Sequence, residues 1–174
     1  MDVLFQAVGY PKKLTAVLEN QFPFFTVVET GAQVPNTTPN EVMVIGSLEV
    51  GGLFAVQIEG AQHHRTGLQI DITGTEGVLR VSNVLAFGNK EDNTVEGMKG
   101  DETTLSVLPI PAAYQSLAAA HLDASAQDMA YLYAAYARDR ENGTFEASTF
   151  KDALKQHYLL DQIAQTSAAF FNYA

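Results

Sequence analysis

A chain of 174 residues, 47% hydrophobic and 17% charged, has the size and apolar share of one core-forming domain rather than of a disordered segment. Ten Lys and Arg against twenty Asp and Glu leave a formal net charge of −10, and no basic stripe offsets it, so nucleic-acid binding is not expected. With no cysteine there is no disulfide framework, thiolate catalysis or Cys-ligated metal, and no apolar run approaches the roughly 20 residues of a membrane helix. No signal peptide is expected. These features predict a soluble, cytoplasmic, single domain over residues 1–174.

The first segment, Asp2 to Gly9, reads as a short helix, with Val3, Leu4 and Ala7 at helical spacing and Gly9 ending it in the left-handed conformation. It starts on the second residue, as if the sequence opened inside an element. From Lys12 to about Leu108 the period is two. Leu14–Leu18 and Phe24–Val28 are β-branched and aromatic strands, and Val34–Asn40, with two prolines, reads as a surface loop. Val42–Val50 and Leu53–Gly60 flank a Gly51-Gly52 turn, which signals a hairpin. Gln62–Gly67 reads as a polar loop. Leu68–Thr73 and Val78–Ser82 form a second hairpin about Gly74–Gly77. Gly88–Thr103 is acidic and unpatterned and reads as a long loop, with a last strand at Thr104–Leu108.

Helical periodicity follows. Ser125 and Asp128 make an approximate capping box, and Met129, Leu132, Tyr133 and Tyr136 share one face until Asn142-Gly143. Tyr131, Tyr133 and Tyr136 are expected to pack with their hydroxyls at the surface. A second helix opens at Ser148 or Thr149, runs to about Phe170, and places Phe150, Ala153, Leu154, His157, Leu160 and Ile163 along a stripe. Strands first and helices last predict an α+β fold: a predominantly antiparallel β-sheet with helices packed on one face. Parity puts Phe54, Val56, Ile58, Leu68, Ile70 and Ile72 on the helix-covered face. Gln57, Glu59, Gln69, Asp71, Thr73 and Arg80 fall on the opposite, mixed face.

Chemical motifs are sparse. There is no G-x-G-x-x-G, no Walker sequence, no G-x-S-x-G and no metal-ligand spacing among His63, His64, His121 and His157. His63-His64-Arg65 is the one dense polar cluster. It could supply donors to a hydroxylated or anionic substrate, or be a solvated loop tip. His157 on the helical stripe reads as a half-buried, satisfied histidine.

At Ile70-Asp71-Ile72-Thr73-Gly74-Thr75-Glu76-Gly77-Val78-Leu79 the chain resembles the C-terminal domain of the Gfo/Idh/MocA oxidoreductases, which include glucose–fructose oxidoreductase and inositol dehydrogenase. Three further stretches agree in order. Met1-Asp2…Val8-Gly9-Tyr10-Pro11 is similar to the family helix that ends in Leu-Gly-x-Pro, with Asp2 at the last position of a His-x-x-Asp motif. Glu49-Val50-Gly51-Gly52-Leu53 is similar to the Asn-Gly-Ala hairpin. Phe145 to Leu154, with Ile163 and Ser167-Ala168, is similar to the last helix. The Gly60–Gly67 segment is most similar to the branch that contains fungal galactose-pathway regulators, which keep the dehydrogenase fold and sense sugar and dinucleotide.

The resemblance implies the substrate-side and oligomerisation domain of an NAD(P)-dependent sugar or polyol oxidoreductase, or a ligand-sensing regulator of the same fold without turnover. A free-standing ligand-binding domain is the third class. In the family, NAD or NADP sits in an N-terminal Rossmann domain, and the Glu-Lys-Pro lysine and motif histidine lie outside these residues. The sequence therefore reads as an excised C-terminal domain, inactive alone, with no catalytic, cofactor or metal residue of its own. Asp2 carries over as a helix-terminal hydrogen-bonding residue. The substrate-binding candidates among the residues are His63, His64, Arg65 and His157, and the partner the resemblance implies is a second copy, as homodimer or tetramer, on the open sheet face.

Overall fold

The computed structural model describes residues 1–60, 67–84, 93–117 and 120–168. The elements are α1 (Asp2–Val8), β1 (Pro11–Glu19), β2 (Phe24–Thr26), β3 (Gln33–Pro35), β4 (Glu41–Leu48), β5 (Leu53–Glu59), β6 (Leu68–Thr73), β7 (Gly77–Asn83), β8 (Thr94–Lys99), β9 (Ser106–Val107), a 3-10 turn (Ala112–Tyr114), α2 (Ala124–Asn142) and α3 (Phe150–Ala168). The fold is α+β, and the strand pairings are antiparallel, as expected. Among the described residues the strands form three sheets, ordered β1-β4-β5, β2-β3 and β6-β7-β8-β9. They belong to two compact units, one holding residues 1–60 and 150–168, the other the remaining described residues. No described helix is long and apolar enough to cross a membrane.

The first unit is built on the parity of β1, β4 and β5. Leu14, Ala16 and Leu18 lie in register with Gly46, Val44 and Val42, and these with Phe54, Val56 and Ile58. Alternation turns these residues to one side, where α1 and α3 supply Phe5, Leu159 and Ile163 to a core completed by Ala16 and Val44. Burying each of these large side chains stabilises the fold by about 1.5–3 kcal/mol. Gly46 has a specific reason to be glycine: a Cβ there would lie 2.1 Å from the Lys13 carbonyl and 2.8 Å from the Phe54 ring. Its absence lets Phe54 cross the strand and meet Phe5 edge-on, with ring centroids 5.1 Å apart.

The last helix buries a different stripe from the one its apolar residues suggest. Leu159 and Ile163 are buried, Gln156, Thr166 and Ser167 are half-buried, and Phe150, Ala153, Leu154, His157 and Leu160 are exposed. The inward face carries polar residues because each has a partner there. Ser167 Oγ accepts from the Leu18 amide of the edge strand β1 at 2.9 Å, and Gln156 bonds residues of the α1 region.

Four loop and cap expectations are also corrected. Residues Thr94–Lys99, assigned to a long loop, form β8, paired along β7 from Gly77↔Lys99 to Ser82↔Thr94. The strand is hard to see because Gly97 interrupts its apolar alternation. Val34–Asn40 is not wholly a surface loop: it begins in β3, and Asn36 and Asn40 are buried. The α2 cap is Asp123, whose side chain accepts from the Ala126 amide at 2.9 Å, rather than a box of Ser125 and Asp128. Gly143 ends α2 in the left-handed conformation as expected, whereas Gly9 ends α1 with φ 91 and ψ 158, outside that region. The helix stripe of Met129, Leu132, Tyr133 and Tyr136 is exposed, so α2 does not bury the face assigned to it.

Candidate functional site

His63, His64 and Arg65 lie outside the described residues. His157 stands on the exposed side of α3, one position from Gln156 but turned about 100° around the helix from it. It is not half-buried as expected. The polar residues that the fold brings together are instead Asp2, Gln6, Tyr10, Lys155 and Gln156.

Asp2 sits in the first turn of α1, where a carboxylate meets the positive end of the helix dipole. Gln6, one turn on, donates to both of its oxygens at 3.1 Å. Gln156 Nε2 donates to Asp2 Oδ1 at 2.5 Å and to the Tyr10 hydroxyl at 3.0 Å, joining α1, the link from α1 to β1, and α3 at one point. Lys155 Nζ lies 3.2 Å above the Tyr10 ring centroid, a cation–π contact. Asp2 therefore acts as the helix-terminal hydrogen-bonding residue expected of it. Only Gln156, 154 positions away, was not foreseeable as its partner. Two side-chain amides, of Gln6 and Gln156, hold the Asp2 carboxylate, and Gln156 ties it to the Tyr10 hydroxyl.

The opposite sides of the two sheets carry the mixed residues. In the first unit Lys13, Thr15, Met43, Ile45, Leu53 and Ala55 line or border an open groove of about 670 Å³ across β1, β4 and β5, and Met43, Ile45 and Leu53 are exposed. Gln57 and Glu59 extend this side, hydrogen-bonded at 2.6 Å. In the second unit Asp71 and Arg80 face each other across β6 and β7, joined at 2.6 and 3.1 Å. The Arg80 guanidinium, helped by the Gln69 amide, holds the Asp71 carboxyl below its usual range, and the same bond raises Arg80. Both residues are solvent-accessible, so the pair orders the sheet face more than it stabilises the unit.

A cavity of about 600 Å³ opens at the turn end of the second sheet, with Ile72, Leu79 and Leu108 as its apolar walls. Gly97 leaves it open, since a Cβ there would come within 2.9 Å of Leu108 and 3.2 Å of Leu79. Its rim carries Glu76 and Lys99, whose charged groups are 3.5 Å apart. This cavity can accept an apolar group, with Glu76, Lys99 and Glu102 as its charged lining. In the same unit Asp139, near the end of α2, accepts from the amides of Glu146 and Ala147 and from the Thr144 hydroxyl. These bonds lower its pKa and fold the chain back beyond the helix. Tyr131 ties the 3-10 turn to α2, its hydroxyl donating to the Tyr114 carbonyl at 2.9 Å. The exposed Tyr133 and Tyr136 match the surface placement expected of them only at their hydroxyls, since the rings are not packed.

One cluster escaped the reading of the sequence. Asn20, Asn36 and Asn40 interlock where β1 and β4 meet the β2–β3 hairpin. Asn40 Nδ2 donates to Asn20 Oδ1 at 2.8 Å, Asn20 Nδ2 to the Asn36 carbonyl at 2.6 Å, and Asn36 Nδ2 to the Phe22 carbonyl at 3.0 Å. Asn40 Oδ1 accepts from the Gln21 amide at 2.9 Å. The available signal was three asparagines flanking an apolar, proline-containing stretch.

A pyrophosphate is held by amides at a helix N-terminus, and the N-termini of α1, α2 and α3 carry Asp2, Asp123 and Asp152. Asp123 already occupies the amide of Ala126. Among the described residues no cluster of three His, Asp or Glu could hold a metal ion.

Residues 1–83 match the protein-family model of the Gal80p C-terminal domain. Two solved structures of super-repressor mutants of Gal80p from Saccharomyces cerevisiae superpose on the chain. The S2 mutant has a TM-score of 0.77 and 20% identity over 97% of this chain and 46% of its own. The S0 mutant has a TM-score of 0.73 and 19% identity over 97% and 45%. At these identities the likeness establishes the fold, and the chain spans less than half the length of either structure. No curated protein matches the chain.

Proposed function

We propose that the chain, which has the fold of the Gal80p C-terminal domain, is the ligand-facing and oligomerisation domain of a sensing regulator. The observation that carries this is the family match over residues 1–83, joined to a superposition that extends over 97% of the chain. In this reading the whole protein holds NAD or NADP outside the described residues and binds a sugar or polyol without turning it over. The chain contributes walls and donors to that pocket, with His63, His64, Arg65 and the exposed His157 as its candidate ligand contacts. Self-association, as homodimer or tetramer, uses the outward side of β1, β4 and β5, where Met43, Ile45 and Leu53 are exposed.

The second reading is an NAD(P)-dependent sugar or polyol oxidoreductase, favoured by the Gly74-Thr75-Glu76-Gly77 turn that first pointed to that family. The two part on chemistry. The test is calorimetry of the whole protein with NAD and NADP, followed by absorbance at the reduced-nicotinamide band over a panel of sugars. The regulator reading expects cofactor binding with no turnover. Turnover of any sugar decides for the oxidoreductase. Cofactor binding by residues 1–174 alone overturns the placing of the dinucleotide outside this chain.

A further inference from the structure

Between Gln21 and Asn40 the sequence carries one charged residue, Glu29, and a series of large apolar ones. These residues form the β2–β3 hairpin, with Phe24↔Pro35, Phe25↔Val34 and Thr26↔Gln33 in register. A two-stranded hairpin is marginal by itself, and an exposed apolar one with no charge on its strands invites association. Phe24, Phe25 and Val28 are 60%, 45% and 91% exposed, and Phe22 and Val34 are 37% exposed each. The root, in contrast, is rigid. Asn36 and Asn40 are buried, and their side chains lock Phe22 and Gln21 to the end of the sheet. An arm held firmly at its base and apolar along its length is built to be covered.

We propose that this hairpin is a clasp that closes over the β4–β5 turn of a second copy, across a two-fold axis that runs perpendicular to the strands between facing sheets. The inference rests on the proposed self-association through the outward side of β1, β4 and β5, and adds its axis and its second contact. Charge selects the axis. Glu19, Glu41 and Glu59 lie side by side at one end of this sheet, in register across all three strands. Lys13 marks the other end of the same side. An axis along the strands stacks one glutamate row on the other, which like charges oppose. An axis across the strands sets each row against the partner's Lys13 end.

That axis also brings the second copy's β4–β5 turn to the root of the arm, because the arm springs from the glutamate end. Val50 and Leu53 at this turn are 77% and 86% exposed, so apolar surface meets apolar surface. Taking about 200 Å² for a large apolar side chain, the exposed parts of the arm and of Met43, Ile45, Val50 and Leu53 come to roughly 1,000 Å² per copy. A stable interface of standard size needs about 800 Å² per partner.

The cysteine-free chain gives a direct test on residues 1–174 as they stand. Ile45→Cys reports the sheet face by disulfide pairing with itself. A mixture of Phe25→Cys and Leu53→Cys chains reports the clasp by pairing one of each. Both products are expected. The Phe24→Asp, Phe25→Asp double variant is expected to dimerise roughly tenfold or more weakly by sedimentation, as for loss of a buried aromatic anchor, with its melting as a monomer unchanged. If Ile45→Cys pairs with itself while the mixture stays unlinked, or Glu59→Cys pairs with itself, the clasp and its axis are wrong and the sheet interface stands. A monomer at all concentrations, with no disulfide product, overturns both.

Discussion

Leu159 and Leu160 are adjacent leucines on one helix, and their replacement by alanine tests which face of α3 the core uses. Leu159 is 7% exposed and packs with Phe5, Ala16, Val44 and Ile163, whereas Leu160 is 50% exposed. Helix propensity cancels between the two, since both changes are Leu→Ala at mid-helix. Removing a buried leucine costs about 2–5 kcal/mol, part lost transfer energy and part the cavity left behind. A half-exposed leucine forfeits no more than about 1 kcal/mol, because half its surface already faces water and no cavity forms. For a chain of this size each kcal/mol moves the midpoint by about 2–4 °C. Leu159→Ala should therefore melt about 4–20 °C below the parent and Leu160→Ala within about 4 °C of it, followed by circular dichroism. Equal shifts, or a larger one for Leu160→Ala, would refute the observed face and restore the stripe through His157.

Asn40→Ala should cost about 1–3 kcal/mol in a urea melt, since the Gln21 amide loses its acceptor in a buried setting. Gly46→Ala should destabilise by about 1–3 kcal/mol or more, because the new methyl meets the Lys13 carbonyl and the Phe54 ring; a neutral result would mean that Phe54 does not lie across the strand. The Asp139 pKa is lowered in the folded state by the Glu146 and Ala147 amides, so its contribution is complete above the unfolded value of about 3.9 and fades as pH falls through the folded value. Protection of the Glu146 and Ala147 amides, their exchange relative to the intrinsic rate at the same pH, should fall on acidification in the parent and already be low at neutral pH in Asp139→Asn. An unchanged neutral rate in that variant would show that the carboxylate does not hold the turn.

Local pattern was enough to place the two hairpins, the stop of α2 at Gly143 and the start of α3 beside Thr149. Glycine pairs, β-branched runs and period-two alternation act within a few residues, and so do the left-handed cap at Gly143 and the parity that turns Val44, Phe54 and Val56 together. The four motifs in order also carried the fold class. Tertiary structure decided the rest, where polar groups choose their side by partner rather than by hydropathy. Gln156 turns inward because Asp2 and Tyr10 await it, and Ser167 because the edge strand offers the Leu18 amide. These bonds rotate the buried stripe onto Leu159 and leave His157 in water. The same holds for Asn36 and Asn40, polar residues beside prolines that alone suggest a loop. Their burial is possible only because Asn20 and the Phe22 carbonyl, from another stretch of chain, meet their hydrogen bonds. Hydrophobic period is written into neighbouring residues, but the satisfaction of a buried polar group depends on residues that only the fold brings near.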